Sequence, residues 1–119
     1  MNIEELREYC LNLKGVEEGF PFGETTLVFK VMGKMFCLCG MDKHPVQFNV
    51  KCDPEKAIEL REEFSGVIPG YHMNKQHWNT IVMDGSFSNE MAQQWILDSY
   101  QLIAQSLPKS LRTELELIK

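Results

Sequence analysis

The sequence lacks any long hydrophobic run. Its longest apolar stretch covers residues 35–41, one glycine included, and is far short of the ~20 residues that a helix needs to cross a bilayer. The N-terminus also lacks a basic segment followed by an apolar one, the pattern of a signal or transit peptide. Repeats, low-complexity segments and interdomain linkers are absent too. We therefore expect a cytoplasmic protein with no membrane partner, folded as one domain over residues 1–119.

Cysteine is sparse, and its spacing does not favour a metal site. The chain has four cysteines, which should be reduced thiols in the cytoplasm rather than disulfide partners. Cys37 and Cys39 put two sulfurs on one face of a strand, and His72 and His77 could approach each other, but neither pair supplies the four ligands of a structural zinc site. Because apolar residues flank Cys37 and Cys39, we expect buried thiols, no metal and no cofactor.

Motifs that would carry catalysis are absent as well. Nothing matches the G-x-S-x-G nucleophile elbow or a glycine-rich phosphate loop, and no nucleophile has an evident neighbouring base. We therefore expect a protein that is not an enzyme. Arginine is also scarce, and the three arginines all fall in predicted helices, which weakens any case for specific base readout.

The residues that are present describe a packed globular chain. Hydrophobic residues make up 44% and charged residues 24% of the sequence, which argues against disorder. The net charge of −5 disfavours unselective coating of a nucleic acid. The charge is unevenly distributed, because residues 25–51 contain four lysines and one aspartate whereas the segments on either side are acidic. Basic charge is therefore concentrated in the middle of the chain.

Capping residues and hydrophobic spacing predict an α+β fold. Helices are expected over residues 3–13, over 54–64, over about 18 residues after Ser88, and over a short segment within 108–119. Strands are expected over residues 25–31, 35–40, 45–51 and 77–83, with a loop over 67–76. Because the turns between the first three strands are short, these strands should form an antiparallel meander.

Alternation within the strands predicts the two faces of the sheet. Leu27, Phe29 and Phe48 point to one face, whereas Lys30 and Lys51 point to the other. The expected sheet therefore has one apolar face, on which the helices pack, and one polar and basic face.

Several motifs are distinctive beyond their secondary structure. The longest covers residues 69–80 and reads Pro-Gly-Tyr-His-Met-Asn-Lys-x-His-Trp-Asn-Thr. Shorter motifs are Phe20-Pro21-Phe22-Gly23, Lys30-Val31-x-Gly33-Lys34-x-Phe36, Lys51-x-Asp53-Pro54, Leu60-Arg61 and Asp98-Ser99-Tyr100. Through these motifs the chain resembles the MmcQ/YjbR family of small bacterial proteins, and the resemblance extends over about residues 9–107.

This resemblance carries expectations about fold and function. It implies an α+β fold similar to that of CyaY, the bacterial frataxin, with helices packed on one face of an antiparallel sheet. It also implies DNA binding, which is how the family is usually described. Since a fold does not by itself establish a function, the candidate residues have to be weighed individually.

The first functional hypothesis is low-affinity, largely sequence-independent binding of double-stranded DNA. Lysines on the exposed sheet and in the following loop can neutralise phosphates, while amides add hydrogen bonds and aromatic rings stack on bases or sugars. The candidate residues are Lys30, Lys34, Lys51, Lys75, Asn74, His72, His77 and Trp78, with Tyr71, Asn79 and Gln47 in support. The competing structural interpretation is that lysines alternate outward on any half-exposed strand and that Trp78 belongs to the core.

The second hypothesis uses the loop over residues 71–79. This loop could form a non-enzymatic module for a small anionic ligand or a protein, or it could be a structured loop anchored by Tyr71 and Trp78. A continuous surface of lysines would favour DNA, whereas a closed pocket around His72, His77 and Trp78 would favour a ligand.

The third hypothesis is frataxin-like iron binding. It would use the acidic residues around the first helix, although such carboxylates are commonly solvated charge. These residues are Glu4, Glu5, Glu8, Glu17 and Glu18. We expect a monomer or a weak dimer, and an exposed stripe of Leu111, Leu115 and Ile118 would indicate an interaction helix.

Overall fold

The computed structural model of the protein describes residues 1–71 and 73–119. Within these residues the chain forms four helices and six strands. The helices are α1 (Ile3–Leu11), α2 (Pro54–Glu63), α3 (Asn89–Gln105) and α4 (Lys109–Leu117). The strands are β1 (Val16–Gly19), β2 (Thr26–Val31), β3 (Lys34–Gly40), β4 (Gln47–Lys51), β5 (Val67–Pro69) and β6 (Trp78–Val82).

The strands form one antiparallel sheet in the order β1-β2-β3-β4-β6-β5. The predicted meander of β2, β3 and β4 is confirmed, and the α+β class is confirmed with it. β6 lies between β4 and β5, so β1 and β5 are the two edge strands. None of the helices in the described ranges is both long and apolar enough to pass through a membrane.

Three helices begin at the residues that the sequence predicts. Asn2 Oδ1 accepts a 2.8 Å hydrogen bond from the backbone N–H of Glu5, and Glu5 Oε1 accepts one of 3.3 Å from the backbone N–H of Asn2. Asp53 and Ser88 cap α2 and α3 in the same way. These side chains satisfy backbone N–H groups that a helix leaves unpaired at its first turn.

The helices pack on one face of the sheet, as predicted. The core includes Leu6 and Cys10 of α1, Leu27, Phe29 and Val31 of β2, Phe48 and Val50 of β4, and Ile96 and Ile103 of α3. All four cysteines are free thiols. Burial raises the pKa of the Cys39 thiol to about 11 and also raises the pKa of the Cys37 thiol, so both thiols are neutral at physiological pH.

The edge strands β1 and β5 were not predicted. β1 has two adjacent glutamates and no apolar alternation, and it pairs with β2 so that Glu17 lies opposite Lys30. β5 lies within the segment for which the sequence predicts a loop. It has only three residues and ends at Pro69, so its sequence carries no strand pattern. Both strands are defined by their neighbours in the sheet rather than by their own pattern.

One lysine lies on a different face from the one predicted. The pairing of β2 with β3 shifts between Phe29 and Lys30, and Lys34 then stands directly opposite Val31. Paired residues point to the same side of a sheet, so Lys34 lies on the helix side, where its Nζ donates a 3.2 Å hydrogen bond to Ser106 Oγ. The prediction that Lys34 shares a face with Lys30 is wrong.

The terminal helix α4 packs partly onto the domain. Leu115 lies against the core, and Leu111 is half-buried. Leu115 and Ile118 both approach Gly15, whereas Leu117 is exposed. The three apolar residues therefore do not form one exposed stripe, which favours packing over an interaction helix.

Candidate binding groove on the open face of the sheet

The sheet face opposite α1 and α3, called the open face here, carries a straight row of five residues. Val28, Leu38, Asn49, Thr80 and Ile68 stand opposite one another in successive strands from β2 to β5. Val28 and Leu38 are only 1% and 6% exposed, so this part of the face is neither polar nor basic, contrary to prediction. Since no helix of the core covers them, loops must exclude water from these two residues.

The covering segments come from two loops. Phe20 and Pro21 lie beside Val28, while Phe22 and the residues after β5 stand around the centre of the row. Between them lies a groove of about 580 Å³. Its apolar lining comprises Phe22, Met35, Leu38, Ile68, Tyr71 and Met73. Its polar lining comprises Thr26, Lys43, Gln47, Asn49 and Thr80, with Gly40 completing the wall.

The floor of the groove contains hydrogen-bonding groups for which the described residues supply no partner. Thr80 Oγ1 donates a 2.5 Å hydrogen bond to Asn49 Oδ1. Among the described residues, no hydrogen-bond partner is found for Asn49 Nδ2 or for the side-chain amide of Gln47. Because an amide offers both donors and acceptors, these groups can orient a ligand that lies on the floor.

The charge of the groove is positive. Of the described residues that line it, Lys43 is the one that carries a formal charge. Its side chain crosses Gly40 so closely that a β-carbon at position 40 would lie 2.8 Å from Lys43 Cγ. The glycine therefore makes room for the lysine at this end of the groove.

Two exposed aromatic rings form the rim. The Phe22 and Tyr71 side chains are 64% and 62% exposed, which is unusual for residues of this size beside a depression. Lys75 Nζ lies 5.2 Å from the centroid of the Tyr71 ring, in a cation–π contact. The rim thus combines apolar surface with positive charge.

Arg61 of α2 holds the loop that presents these groups. Its Nε donates a 2.6 Å hydrogen bond to Asn79 Oδ1, and its Nη2 donates to the carbonyl of Lys75. Asn79 is fully buried and also donates to the carbonyl of Ala57 at 3.4 Å. The prediction that Asn79 is available to nucleic acid is therefore wrong. The motif Leu60-Arg61 singles out Arg61 in the sequence, but its contacts with Asn79 and Lys75 were not predicted.

The loop residues Asn74, His77 and Trp78 do not line the groove. Asn74 Oδ1 accepts a 2.9 Å hydrogen bond from the backbone N–H of Gln76, as expected of a structured turn. Trp78 is half-buried on the open face, directly opposite Lys51. His77 is half-buried and does not line the groove. His72 lies outside the described residues.

The predicted lysines do not form one continuous surface. Lys30 and Lys51 lie on the open face, separated by β3, which corresponds to about 10 Å between strand axes. Lys75 lies over Tyr71, and Lys34 is on the helix side. The structure instead adds Lys43, which the sequence analysis did not select because only the fold brings it to the sheet.

Two of the five acidic residues around α1 make contacts within the protein. Glu18 receives hydrogen bonds of 2.9 and 2.7 Å from Arg7 Nε, in a paired arrangement with a second guanidinium nitrogen. Glu5 belongs to the helix cap. Over residues 1–71 and 73–119, no three His, Cys, Asp or Glu side chains are grouped so that they could hold a metal ion.

The comparisons with known proteins agree with this architecture. The YjbR family model matches residues 11–102. The chain belongs to the YjbR family. Among YjbR-family relatives, the protein YbdF of Escherichia coli O157:H7 is 34% identical over 106 residues, which cover 89% of this chain and 87% of YbdF. YjbR of Escherichia coli K12 is 31% identical over 112 residues, covering 94% of this chain and 95% of YjbR.

Solved structures extend the YjbR-family likeness to three dimensions. The Deinococcus radiodurans protein DR2400, with a DUF419 domain, is similar with a TM-score of 0.90 and 37% identity, over 98% of this chain and 88% of that chain. A Pseudomonas syringae protein is similar with a TM-score of 0.74 and 27% identity, over 86% of this chain and 98% of that chain.

Proposed function

We propose that this YjbR-family protein is a non-enzymatic binding domain that takes a small organic molecule into the groove on the open face. The observation that carries the proposal is the groove itself, with apolar walls and, on its floor, side-chain amides that have no hydrogen-bond partner among residues 1–71 and 73–119. Its volume of about 580 Å³ lies within the range of small-molecule sites, as does the combination of a mainly apolar lining with a few convergent polar groups.

The exposed rim supplies a driving force for binding. Covering apolar surface contributes about 25 cal/mol per Å², and both Phe22 and Tyr71 present more than half of their side chains to solvent. A ligand in the groove would cover these rings without requiring the sheet to move. The non-enzymatic part of the proposal rests on the lining, where Lys43 is the charged group and the described residues supply no histidine or carboxylate.

A neutral fluorescent probe tests this proposal. N-phenyl-1-naphthylamine should bind the purified protein with enhanced fluorescence, and the double variant Phe22→Ala with Tyr71→Ala should lower its affinity at least tenfold. The control is Ile58→Ala, because Ile58 is an exposed apolar side chain on α2 that does not line the groove. Near-ultraviolet circular dichroism reports whether the fold is retained. Equal binding by both variants would overturn the proposal.

Low-affinity binding of double-stranded DNA is the second candidate. It is supported by Lys30 and Lys51 on the open face and by Lys43 and Lys75 at the groove, whereas α1 and α2 carry many carboxylates on the other side. Glu17 opposite Lys30 offsets part of this charge, and the predicted lysines do not form one continuous surface. We therefore rank DNA below a small ligand.

Fluorescence anisotropy of a labelled duplex across a salt series tests the DNA candidate. Phosphate contacts would make log affinity fall linearly with log salt, with a slope of about −0.9 for each neutralised phosphate. Lys30→Glu with Lys51→Glu should abolish this binding, whereas Lys34→Glu, on the helix side, should leave it unchanged. No binding at low salt would exclude the DNA candidate.

A further inference from the structure

We infer that the groove recognises a planar heteroaromatic ring joined to an anionic group, the chemistry of a nucleoside monophosphate. This inference rests on the proposed function and names the ligand class of the same site. It follows from three properties of the lining. These are exposed aromatic rings, side-chain amides without a hydrogen-bond partner among the described residues, and a positive charge from Lys43.

Aromatic surface stands at both sides of the groove. Phe22 precedes β2, and Tyr71 follows β5, so the two rings approach from opposite ends of the cross-strand row. Stacking on an exposed aromatic ring contributes about 1–3 kcal/mol for a nucleobase. A purely aliphatic ligand would gain area from these rings but no stacking.

The amides lie on β4, between the Lys43 end and the Tyr71 end of the groove. Asn49 and Thr80 stand directly opposite each other, and Thr80 is paired with Ile68 of β5, the strand that leads into Tyr71. The hydrogen bond from Thr80 fixes Asn49 Oδ1 and leaves Nδ2 as a donor, while Gln47 offers a donor and an acceptor. Asn and Gln side chains are the groups that pair with the edges of adenine-type rings.

The positive charge lies at the other end. Lys43 crosses Gly40, whose strand partner is Thr26 of β2. β3, which contains Gly40, is two strands from β6, so the cation lies about 10 Å across the sheet from Thr80, with Asn49 and Gln47 of β4 between them. A lysine acts as a point charge toward phosphate, and no carboxylate among the described lining residues opposes it.

This arrangement predicts how parts of the ligand contribute. A ring alone should bind weakly through Tyr71 and the amides, and an anion alone should not bind, because Lys43 is exposed and a single exposed charge holds phosphate poorly. Only a molecule that carries the ring and the anion at a separation can use both ends of the groove.

Isothermal titration calorimetry with adenosine, AMP, GMP and inorganic phosphate tests the inference. At least one monophosphate should bind about two- to fivefold more tightly than adenosine, and inorganic phosphate should give no heat of binding. Lys43→Met should reduce the monophosphate affinity to that of the nucleoside, whereas Lys56→Met, which removes an exposed lysine from α2, should not. Asn49→Leu should weaken adenosine and AMP equally and leave N-phenyl-1-naphthylamine binding intact.

The outcomes separate this inference from the proposed function. If the neutral probe binds but no monophosphate does, the ligand class is wrong and the groove remains a binding site. If neither binds, both proposals fail. If a single-stranded oligonucleotide binds while free monophosphates do not, the occupant is a polymer and the inference is overturned. Loss of monophosphate affinity in Lys43→Met with retention in Lys56→Met supports it.

Discussion

Arg61 reaches from α2 to β6, where its Nε donates a 2.6 Å hydrogen bond to the buried Oδ1 of Asn79. The same guanidinium also donates to the carbonyls of Lys75 and Trp78. One side chain thereby ties a helix, a strand and the turn between Tyr71 and Trp78 together. The groove thus depends on a residue that does not line it.

Replacing Arg61 by glutamine should affect stability and binding together. We expect the free energy of unfolding to fall by about 2 kcal/mol, because hydrogen bonds from a charged donor contribute about 1.5–3 kcal/mol and Asn79 would lose a buried partner. Affinity for N-phenyl-1-naphthylamine should also fall several-fold, since the turn loses its support. Urea unfolding and probe titration measure the two effects. Arg112→Gln on α4 is the control, and a variant indistinguishable from it would refute the role of Arg61.

Ser99 provides a second buried polar link. Its hydroxyl donates a 2.6 Å hydrogen bond to the carbonyl of Phe36 and accepts a 2.8 Å one from the backbone N–H of Lys51. Ser99→Ala should lower the free energy of unfolding by about 2 kcal/mol, because two buried backbone groups lose their partner. Ser110→Ala, at an exposed position, should change it by less than about 0.5 kcal/mol. Similar midpoints of urea unfolding for both variants would contradict this prediction.

The buried thiols predict a loss of stability at alkaline pH. Burial raises the pKa of Cys39 from its ordinary value of 9.0 to about 11. Because the pKa is raised in the folded state, the contribution of the neutral Cys39 thiol to the free energy of unfolding is complete below pH 9. It is lost as pH rises through about 11. Cys39→Val should therefore lose less stability than the parent between these two pH values, as measured by chemical denaturation. A parallel decline in both proteins would show that other groups account for it.

Asp84 predicts the opposite behaviour in acid. Hydrogen bonds from the Ser86 hydroxyl at 2.6 Å and backbone N–H at 3.0 Å, and from Ser65, lower the pKa of this carboxyl below its ordinary value of 3.8. Its contribution is therefore present above pH 3.8 and is lost as pH falls through the lower folded-state pKa. Asp84→Asn should be less stable than the parent at pH 6, and the difference should shrink toward pH 2. A difference that persists in acid would contradict the assignment.

The central elements could be predicted from the sequence because each carries a local signal. Asn2, Asp53 and Ser88 mark helix starts through side chains that bond their own backbone. Alternation in β2 and β4 selects the face that packs against the helices. The edge strands lack such a signal, since β1 is half glutamate and β5 ends at proline.

The candidate site could be predicted only in part. Tyr71 stands out because it lies in the most distinctive motif, and the structure places it on the rim. Phe22 and Lys43 reach the groove through turns far from that motif, and no periodicity links them to it. The shift in pairing beside Phe29 also moves Lys34 to the helix side, which strict alternation does not anticipate.

The two edge strands, β1 and β5, limit how the sheet can pair with other molecules. β1 is four residues long and carries Glu17 and Glu18, while β5 is three residues long and finishes at Pro69, which has no N–H to donate. Neither edge strand is a good template for pairing with a strand from another molecule. Edge-to-edge pairing between the sheets of different molecules, the first step toward fibrils, is therefore disfavoured even in concentrated solution. A partner has to approach a face of the sheet instead.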